Sequence, residues 1–236
     1  HLNFNLLTTF YSNNITEKEI YLNENDSRHA IKSLRLKINA SVNVVSGKGE
    51  LFKTNISDAN PKKTILTVSA KELFKAETPL ILAFSPTKNN DRNEWVIEKG
   101  IEIGMTTCIP VFTQNSERRK WNSIRMNKIA IAAMKQSGRY WLPIINEPID
   151  FKDFINNHQS DNKFIAHCKE ANKNHLSKLA NQKNAQLILI GPEGDFTKEE
   201  IELAKKHQFK EISLGNNRLR TETACIAALS ILKLSY

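Results

Sequence analysis

The stretch LRTETACIAALSIL, residues 219–232, places Arg220, Thr221, Glu222 and Thr223 directly before a run made almost wholly of Ala, Ile and Leu. A buried helix needs one side-chain cap at its start, and a single Thr supplies it. Four polar groups exceed that need. Arg220 can hold a developing negative charge, and Glu222, the one carboxylate inside the motif, can accept a proton. These residue types point to something bound at the helix start. The architectural alternative is an Arg and a Glu that bracket a helix N-terminus as an ion pair, where an acid in the first turn is favourable in any case.

Two further stretches have the composition of ligand loops. After the apolar QLILI comes GPEGDFTKEEI, in which Gly191 and Gly194 allow a tight turn and close backbone approach, while Thr197 and Glu200 spell a capping box. After EIS comes LGNNRLRTETA, a second glycine turn that runs straight into the polar helix start. After LILAF, the segment SPTKNNDRNEW puts Ser85 and Lys88 at a third strand end. One such loop is ordinary turn chemistry. Two on successive strands point to a pocket. His167, in IAHCKE, stands at another strand end, where local hydrogen bonding is the simpler reading and pocket lining the lesser one.

Other chemistries lack their motifs. No GxGxxG follows a strand, and neither GxxxxGK[ST] nor GxSxG occurs, so a dinucleotide site, a P-loop and a triad hydrolase are all unsupported. The histidines show no metal-ligand spacing, and Cys108, Cys168 and Cys225 lie far apart with no CxxC pair. No metal and no disulfide framework is expected, and all three cysteines are expected to be buried thiols.

These loops need a scaffold. From residue 80 onward, LILAF, CIPVF, KFIAH, QLILIG and EISLG alternate with helical patterns over 92–104, 123–138, 174–182, 197–207 and 221–234. That alternation predicts an α/β domain, a mostly parallel sheet with helices on both faces. Ligands in such sheets sit beyond the carboxyl ends of the strands, where loops enter helices. Before the break at KAETP, residues 75–79, the stretches VNVV, LFKTNI and KTILTVSA read as short strands of a small β-rich domain. The expected division is 1–75 and 76–236. EANKNH and NQKN read as exposed connections.

With 236 residues, 40% hydrophobic and 25% charged, the chain reads as a soluble globular protein large enough for real cores. No run approaches the roughly 20 apolar residues of a membrane span. HLNFNLLTTFY also lacks the charged start and cleavage site of a secretory signal, so a cytoplasmic protein without a membrane partner is expected. The net charge of +9 favours a polyanionic partner. Residues 117–139 concentrate that charge: Arg118, Arg119, Lys120, Arg125, Lys128, Lys135 and Arg139 face the single acid Glu117, with Trp121, Tyr140 and Trp141 alongside. Basic residues track phosphates and aromatic rings stack on unpaired bases. Met126, Ile129, Ala130, Ala133 and Met134 form a core stripe at helical spacing, so a solvated helix face remains the alternative.

At the loop residues the sequence becomes specific. LILIGPEGDFTKEEI followed by ISLGNNRLRTETA closely resembles the bacterial small-subunit (16S) ribosomal RNA uracil-N3-methyltransferase family of the SPOUT class. FSPTKNNDRNEWVIEKGIEIGM, SERRKW and AAMKQSGRYWLP occur in that family's order, and RHAIKSLRLKINASVNVVSGKGELF is similar to its N-terminal PUA-like β-barrel. The similarity runs from about Phe10 to Tyr236. It departs at Asp195, where the family usually has a second Gly, at Asn217 and Arg218, and in EKGIEIG.

The resemblance implies a SPOUT-type sheet tied C-terminally in a trefoil knot, a homodimer, and S-adenosylmethionine held by Gly191, Pro192, Gly194, Leu214, Gly215, Leu219, Arg220 and Thr221. It implies 16S ribosomal RNA or the small ribosomal subunit as partner. The candidate RNA contacts are Arg118, Arg119, Lys120 and Arg139, with Arg28, Arg35 and Lys37 of the β domain as a further surface. Uracil N3 carries an imide proton and must lose it before attacking a sulfonium methyl. Glu222 is then the candidate base and Arg220 the candidate stabiliser of charge on the uracil oxygens. A non-catalytic RNA-binding or ribosome-assembly protein of the same fold is the alternative, as is a methyltransferase acting on transfer RNA ribose.

Overall fold

The computed structural model describes residues 7–158, 160, 162–180 and 184–234. The chain divides into two compact units, one made of His1–Ala76 with Met134–Leu142 and the other of Glu77–Ala133 with Pro143–Tyr236.

In the first unit, strands β1 (Thr9–Tyr11), β2 (Glu19–Tyr21), β3 (Ser41–Val45), β4 (Glu50–Asp58) and β5 (Ile65–Leu73) form a sheet in the order β1-β3-β4-β5-β2. Its pairings are antiparallel apart from β1 with β3. Phe10, Ile20, Val42, Val44, Phe52, Ile56 and Leu66 form its core, roofed by Ala30 from the turn that follows helix α1 (Glu24–Arg28). The segment 134–142 belongs here by chemistry as well as by proximity. Met134 packs on Val45 and Leu51, Tyr140 stacks on Phe74 at 3.7 Å, and the Trp141 indole N–H donates to the Phe74 and Lys75 carbonyls at 3.1 Å. Gly49, at φ +81°, lies under the Trp141 ring, where a Cβ would come within 2.5 Å of it.

The second unit runs β6 (Leu80–Phe84), α2 (Asn90–Ile103), β7 (Thr107–Phe112), α3 (Ser123–Gln136, whose last turn is counted with the first unit), β8 (Ile144–Ile145), β9 (Ile149–Asp150) and α4 (Phe151–Asn157). It continues with β10 (Asn162–Ala166), β11 (Asn174–His175), β12 (Gln186–Ile190), α5 (Lys198–Lys206), β13 (Lys210–Ser213) and α6 (Thr221–Leu234). Among the described residues the sheet order is β11-β13-β10-β12-β6-β7-β8, with β9 beside β7, and every pairing is parallel.

All five residues of β12 are buried, because helices cover the sheet on both sides. On one side Phe151, Phe154 and Ile155 of α4 and Ile201 and Ala204 of α5 meet Ala83, Ile165, Leu187 and Leu189. On the other, α6 packs against β6, β12 and α2. Gly100 of α2 admits that contact: a Cβ there would stand 3.2 Å from the Leu229 side chain. One sequence expectation fails. Residues 174–180 form strand β11 and a short 3-10 turn rather than a helix, since Leu176 is the one apolar side chain buried there, and residues 181–182 of that expected helix lie outside the described residues. NQKN, read as a connection, lies outside them too apart from Asn184. No described helix is long and apolar enough to cross a membrane.

Candidate cofactor and methyl-transfer site

Parallel register brings three loops to one level. Ala166, the last residue of β10, pairs with Ile190 at the end of β12 on one side and with Ile212 of β13 on the other. The loops leaving these strands therefore open at the same sheet edge, and they enclose a cavity of about 490 Å³. Its walls are residues 166–168 with Lys173, residues 190–193 with Asp195, and residues 212–221 with Ala224. Ile190, Ile212, Leu214 and Leu219 supply apolar surface, while backbone groups and a few charged side chains supply the polar remainder. Such a mixture suits a small ligand with one flat apolar part and one polar part.

The loop after β12 is tightly built. A Cβ on Gly191 would come within 2.9 Å of the Phe196 ring, which belongs to the core beneath α4 and α5. The Thr221 hydroxyl donates to the Gly191 carbonyl at 3.1 Å, so Thr221 fastens α6 to this loop in place of capping its own helix. Thr197 and Glu200 form the expected capping box, and the second Glu200 oxygen accepts from the Gln114 N–H at 2.8 Å. The loop after β13 is open. Gly215 adopts φ +127° with nothing within 4 Å of a built Cβ, and residues 215–218 are exposed.

His167 forms the third wall. Its Nε2 lies 2.9 Å from a Glu211 carboxylate oxygen, and its Nδ1 is buried with no hydrogen-bond partner among the described residues. Burial, and then the Lys173 ammonium, push the imidazole below its ordinary value, against the opposing pull of Glu211. A neutral ring is favoured, with one nitrogen satisfied by Glu211 and the other available. The orphaned Nδ1, the apolar walls and the unhindered Gly215 fit a ligand of the size and mixed polarity of S-adenosylmethionine.

Of the residues expected to hold a cofactor, Gly191, Pro192, Leu214, Gly215, Leu219, Arg220 and Thr221 line this cavity. Gly194 does not, because a Cβ there would point at Asn115, 3.1 Å away. Glu222 does not line it either. Its carboxylate lies against α2, 3.4 Å from Arg92 Nε, with Oε2 buried and unpartnered among the described residues. The alternative reading, an ion pair with Arg220, gives way to this one, since residues two apart on a helix diverge in direction. The α6 start thus has two sides, Thr221 and Ala224 toward the cavity and Glu222 toward α2. Ser85 and Lys88 stand outside the cavity, Ser85 in a 2.7 Å hydrogen bond with Ser116.

Sequence reasoning missed Ala166, Lys173 and Ala224, and it expected Cys168 to be buried. Cys168 is exposed and lines the cavity, whereas Cys108 and Cys225 are buried and their thiols are pushed up by desolvation. The available signal was the end of KFIA, a strand end like the other two.

A family model described as an RNA methyltransferase domain matches residues 75–233, and one described as an RNA methyltransferase PUA domain matches residues 22–69. The ribosomal RNA small subunit methyltransferase E of Rickettsia conorii is 34% identical over 215 residues, which cover 87% of this chain and 86% of that protein. The chain belongs to the ribosomal RNA small subunit methyltransferase E family. A probable rRNA methyltransferase from Porphyromonas gingivalis superposes with a TM-score of 0.88 at 32% identity, covering 94% of this chain and 95% of that one. A family member from Neisseria gonorrhoeae, crystallised with S-adenosyl methionine, superposes at 0.84 with 26% identity, again over 94% and 95% of the two chains. The fold expected from the loop motifs, a SPOUT-type α/β domain beside an N-terminal PUA-like domain, is the fold of this family.

The basic residues are placed as follows. Arg118 donates to the Lys88 carbonyl at 3.0 Å, Arg119 pairs with Asp150 at 2.8 Å over the Phe112 ring, and Lys120 is exposed. Arg139 falls in the segment counted with the first unit, so the stretch 117–139 is divided between the two units. Arg28 pairs with Glu24 at 2.6 Å, while Arg35, at φ +53°, and Lys37 are exposed.

Proposed function

We propose that this chain transfers a methyl group from S-adenosylmethionine to N3 of one uridine in 16S ribosomal RNA. The observation that carries the reading is the cavity at the level ends of β10, β12 and β13, closed by the RTETA start of α6.

S-adenosylmethionine, when bound, supplies a methyl group made electrophilic by the adjoining sulfonium. The chain supplies position and charge. Gly191, Pro192, Leu214, Gly215, Leu219 and Thr221 hold the cofactor, and Gly194 supports the loop from behind through its contact with Asn115. Arg220, exposed at the cavity wall, can place its planar fork of donors on a uracil carbonyl whose charge grows as N3 loses its proton. Glu222 is the acceptor proposed for the imide proton: its Oε2 is buried with no partner among the described residues, and Arg92 holds its other oxygen. Because the carboxylate faces α2 and not the cavity, the uracil edge must enter on that side of the helix start to reach it. No step calls for a metal.

The same proposal gives 1–75 the work of an RNA-binding domain and 76–236 that of the methyltransferase, with the knotted path of its family. Arg28, Arg35, Lys37, Arg118, Arg119, Lys120 and Arg139 contact RNA phosphates, and the working form is a cytoplasmic homodimer. Calorimetric titration tests the cofactor assignment: S-adenosylmethionine and its demethylated product are expected to bind and a nicotinamide dinucleotide is not. Failure of both sulfur compounds to bind would remove the reading.

A further inference from the structure

Asp195 holds a backbone conformation that most L residues avoid, φ +62°, inside the loop that leaves β12. Asp and Asn tolerate this region better than other side chains because they can hydrogen-bond locally. Here the local bonds are plain. Asp195 Oδ1 accepts from the Phe196 N–H at 2.8 Å, and the Asp195 N–H donates to the Pro192 carbonyl at 2.9 Å. The Asn115 side-chain amide donates to the carbonyls of Gly194 and Asp195 at 3.2 and 2.9 Å. The residue is therefore fixed on its own loop before its second carboxylate oxygen is used.

That second oxygen crosses to another loop. Asp195 Oδ2 accepts from the Cys168 backbone N–H at 3.0 Å, two residues beyond the end of β10. Cys168 and its neighbour His167 form one wall of the cavity, and Asp195 lies in the wall opened by the next strand. We propose that Asp195 is a positioning residue, whose carboxylate ties the loop after β10 to the loop after β12 and so preforms the cavity for its ligand. This rests on the reading that the cavity holds S-adenosylmethionine. A charge-assisted bond to a backbone N–H is stronger than a neutral one. A wall ordered in advance spares that ordering cost on binding.

Asp195 touches neither Arg220 nor Glu222, so its effect should appear in cofactor affinity and not in the rate at saturation. Asp195→Gly permits the positive φ and removes the tie, and Asp195→Ala removes both. Asp195→Asn keeps a tolerated conformation but has one neutral acceptor where the carboxylate has two, so it can serve the Phe196 N–H or the Cys168 N–H and not both. Two measurements separate the tie from its consequence: amide exchange at Cys168 without cofactor, and KM for S-adenosylmethionine against kcat. The Cys168 amide is expected to be protected in the unmodified protein, to exchange freely in Asp195→Gly and to lie between the two in Asp195→Asn. KM is expected to rise about 10-fold in Asp195→Gly, the loss of one charge-assisted bond, with kcat unchanged and with Asp195→Asn between Asp195→Gly and the parent. Asp195→Ala is expected to be worse than Asp195→Gly, and should it fail to fold the other two variants decide the matter. Unchanged exchange in Asp195→Gly, or lost protection with an unchanged KM, would overturn the proposal. If the unmodified protein fails to bind S-adenosylmethionine, the reading of the cavity fails, and the Cys168 exchange still decides the tie.

Discussion

In the loop after β12, Gly191 is pressed against the Phe196 ring, Asp195 makes bonds in two directions, Asn115 clamps two carbonyls and Thr221 reaches down from α6. In the loop after β13, Gly215 faces open space and Ser213 caps the turn with a local 3.1 Å bond. Arg218 lends one further bond, to the Glu193 carbonyl at 3.1 Å. Both loops begin as an apolar strand followed closely by glycine. One glycine exists to let a core ring approach; the other exists to let the backbone turn at φ +127°. The packed loop is a fixed wall, and the open one draws on the low-stability end of the structure, from which ligand-closing segments come.

The packing of the loop after β12 is therefore read in folding free energy and the exposed side chains of the open loop in function, with Asp195, which reaches across to the loop after β10, as the packed loop's link to cofactor affinity. Arg220→Lys, at the end of the open loop, gives the largest effect: single-turnover methyl transfer falls by roughly 10²-fold, because an ammonium lacks the fixed fork of donors. Its thermal unfolding is expected to match the parent, and a matching loss of stability would erase the contrast between the loops. Gly191→Ala comes next. The new methyl meets the Phe196 ring and costs about 1–3 kcal/mol of unfolding free energy, read by denaturant titration. Gly215→Ala meets no atom and costs about 1 kcal/mol, the strain of its backbone alone, so equal losses at the two glycines would contradict the comparison.

The third wall yields the smallest effect and a pH dependence. The His167 imidazole is pushed below 6.5 in the folded chain, first by burial. The unfolded chain therefore binds the proton more readily, and stability fully present above pH 6.5 is lost as the pH falls through the lower folded value. His167→Gln should flatten that part of the curve in thermal unfolding between neutral and mildly acidic pH. A slope that persists in the variant would assign it to another group.

How far the sequence reached differs between these loops in the same way. GPEG and LGNN announce turns by residue type, and strand ends in a parallel sheet announce a ligand edge, so the walls after β12 and β13 were legible. That Gly194 faces Asn115 and that Glu222 pairs with Arg92 were not, because both depend on side chains brought together from distant parts of the chain. Strands β1 and β2, three residues each, are too short to show a period. Helix α4 did carry a signal, Phe151, Phe154 and Ile155 at helical spacing, in a segment of seven residues that ends before a second turn of pattern accumulates. The return of residues 134–142 to the first unit is signalled by nothing local. It rests on Tyr140 finding Phe74 and Trp141 finding the carbonyls beside it.

In the proposed reaction the open and packed loops together present a cofactor methyl to a uracil nitrogen at the start of α6. Its most direct test is single-turnover transfer from isotopically labelled S-adenosylmethionine to small-subunit ribosomal RNA, free and within subunits, with the labelled nucleotide mapped by mass spectrometry. Label is expected on N3 of one uridine, with the amount falling in Arg220→Lys. Label on a ribose hydroxyl, or none from a protein that binds the cofactor, would contradict the proposed reaction.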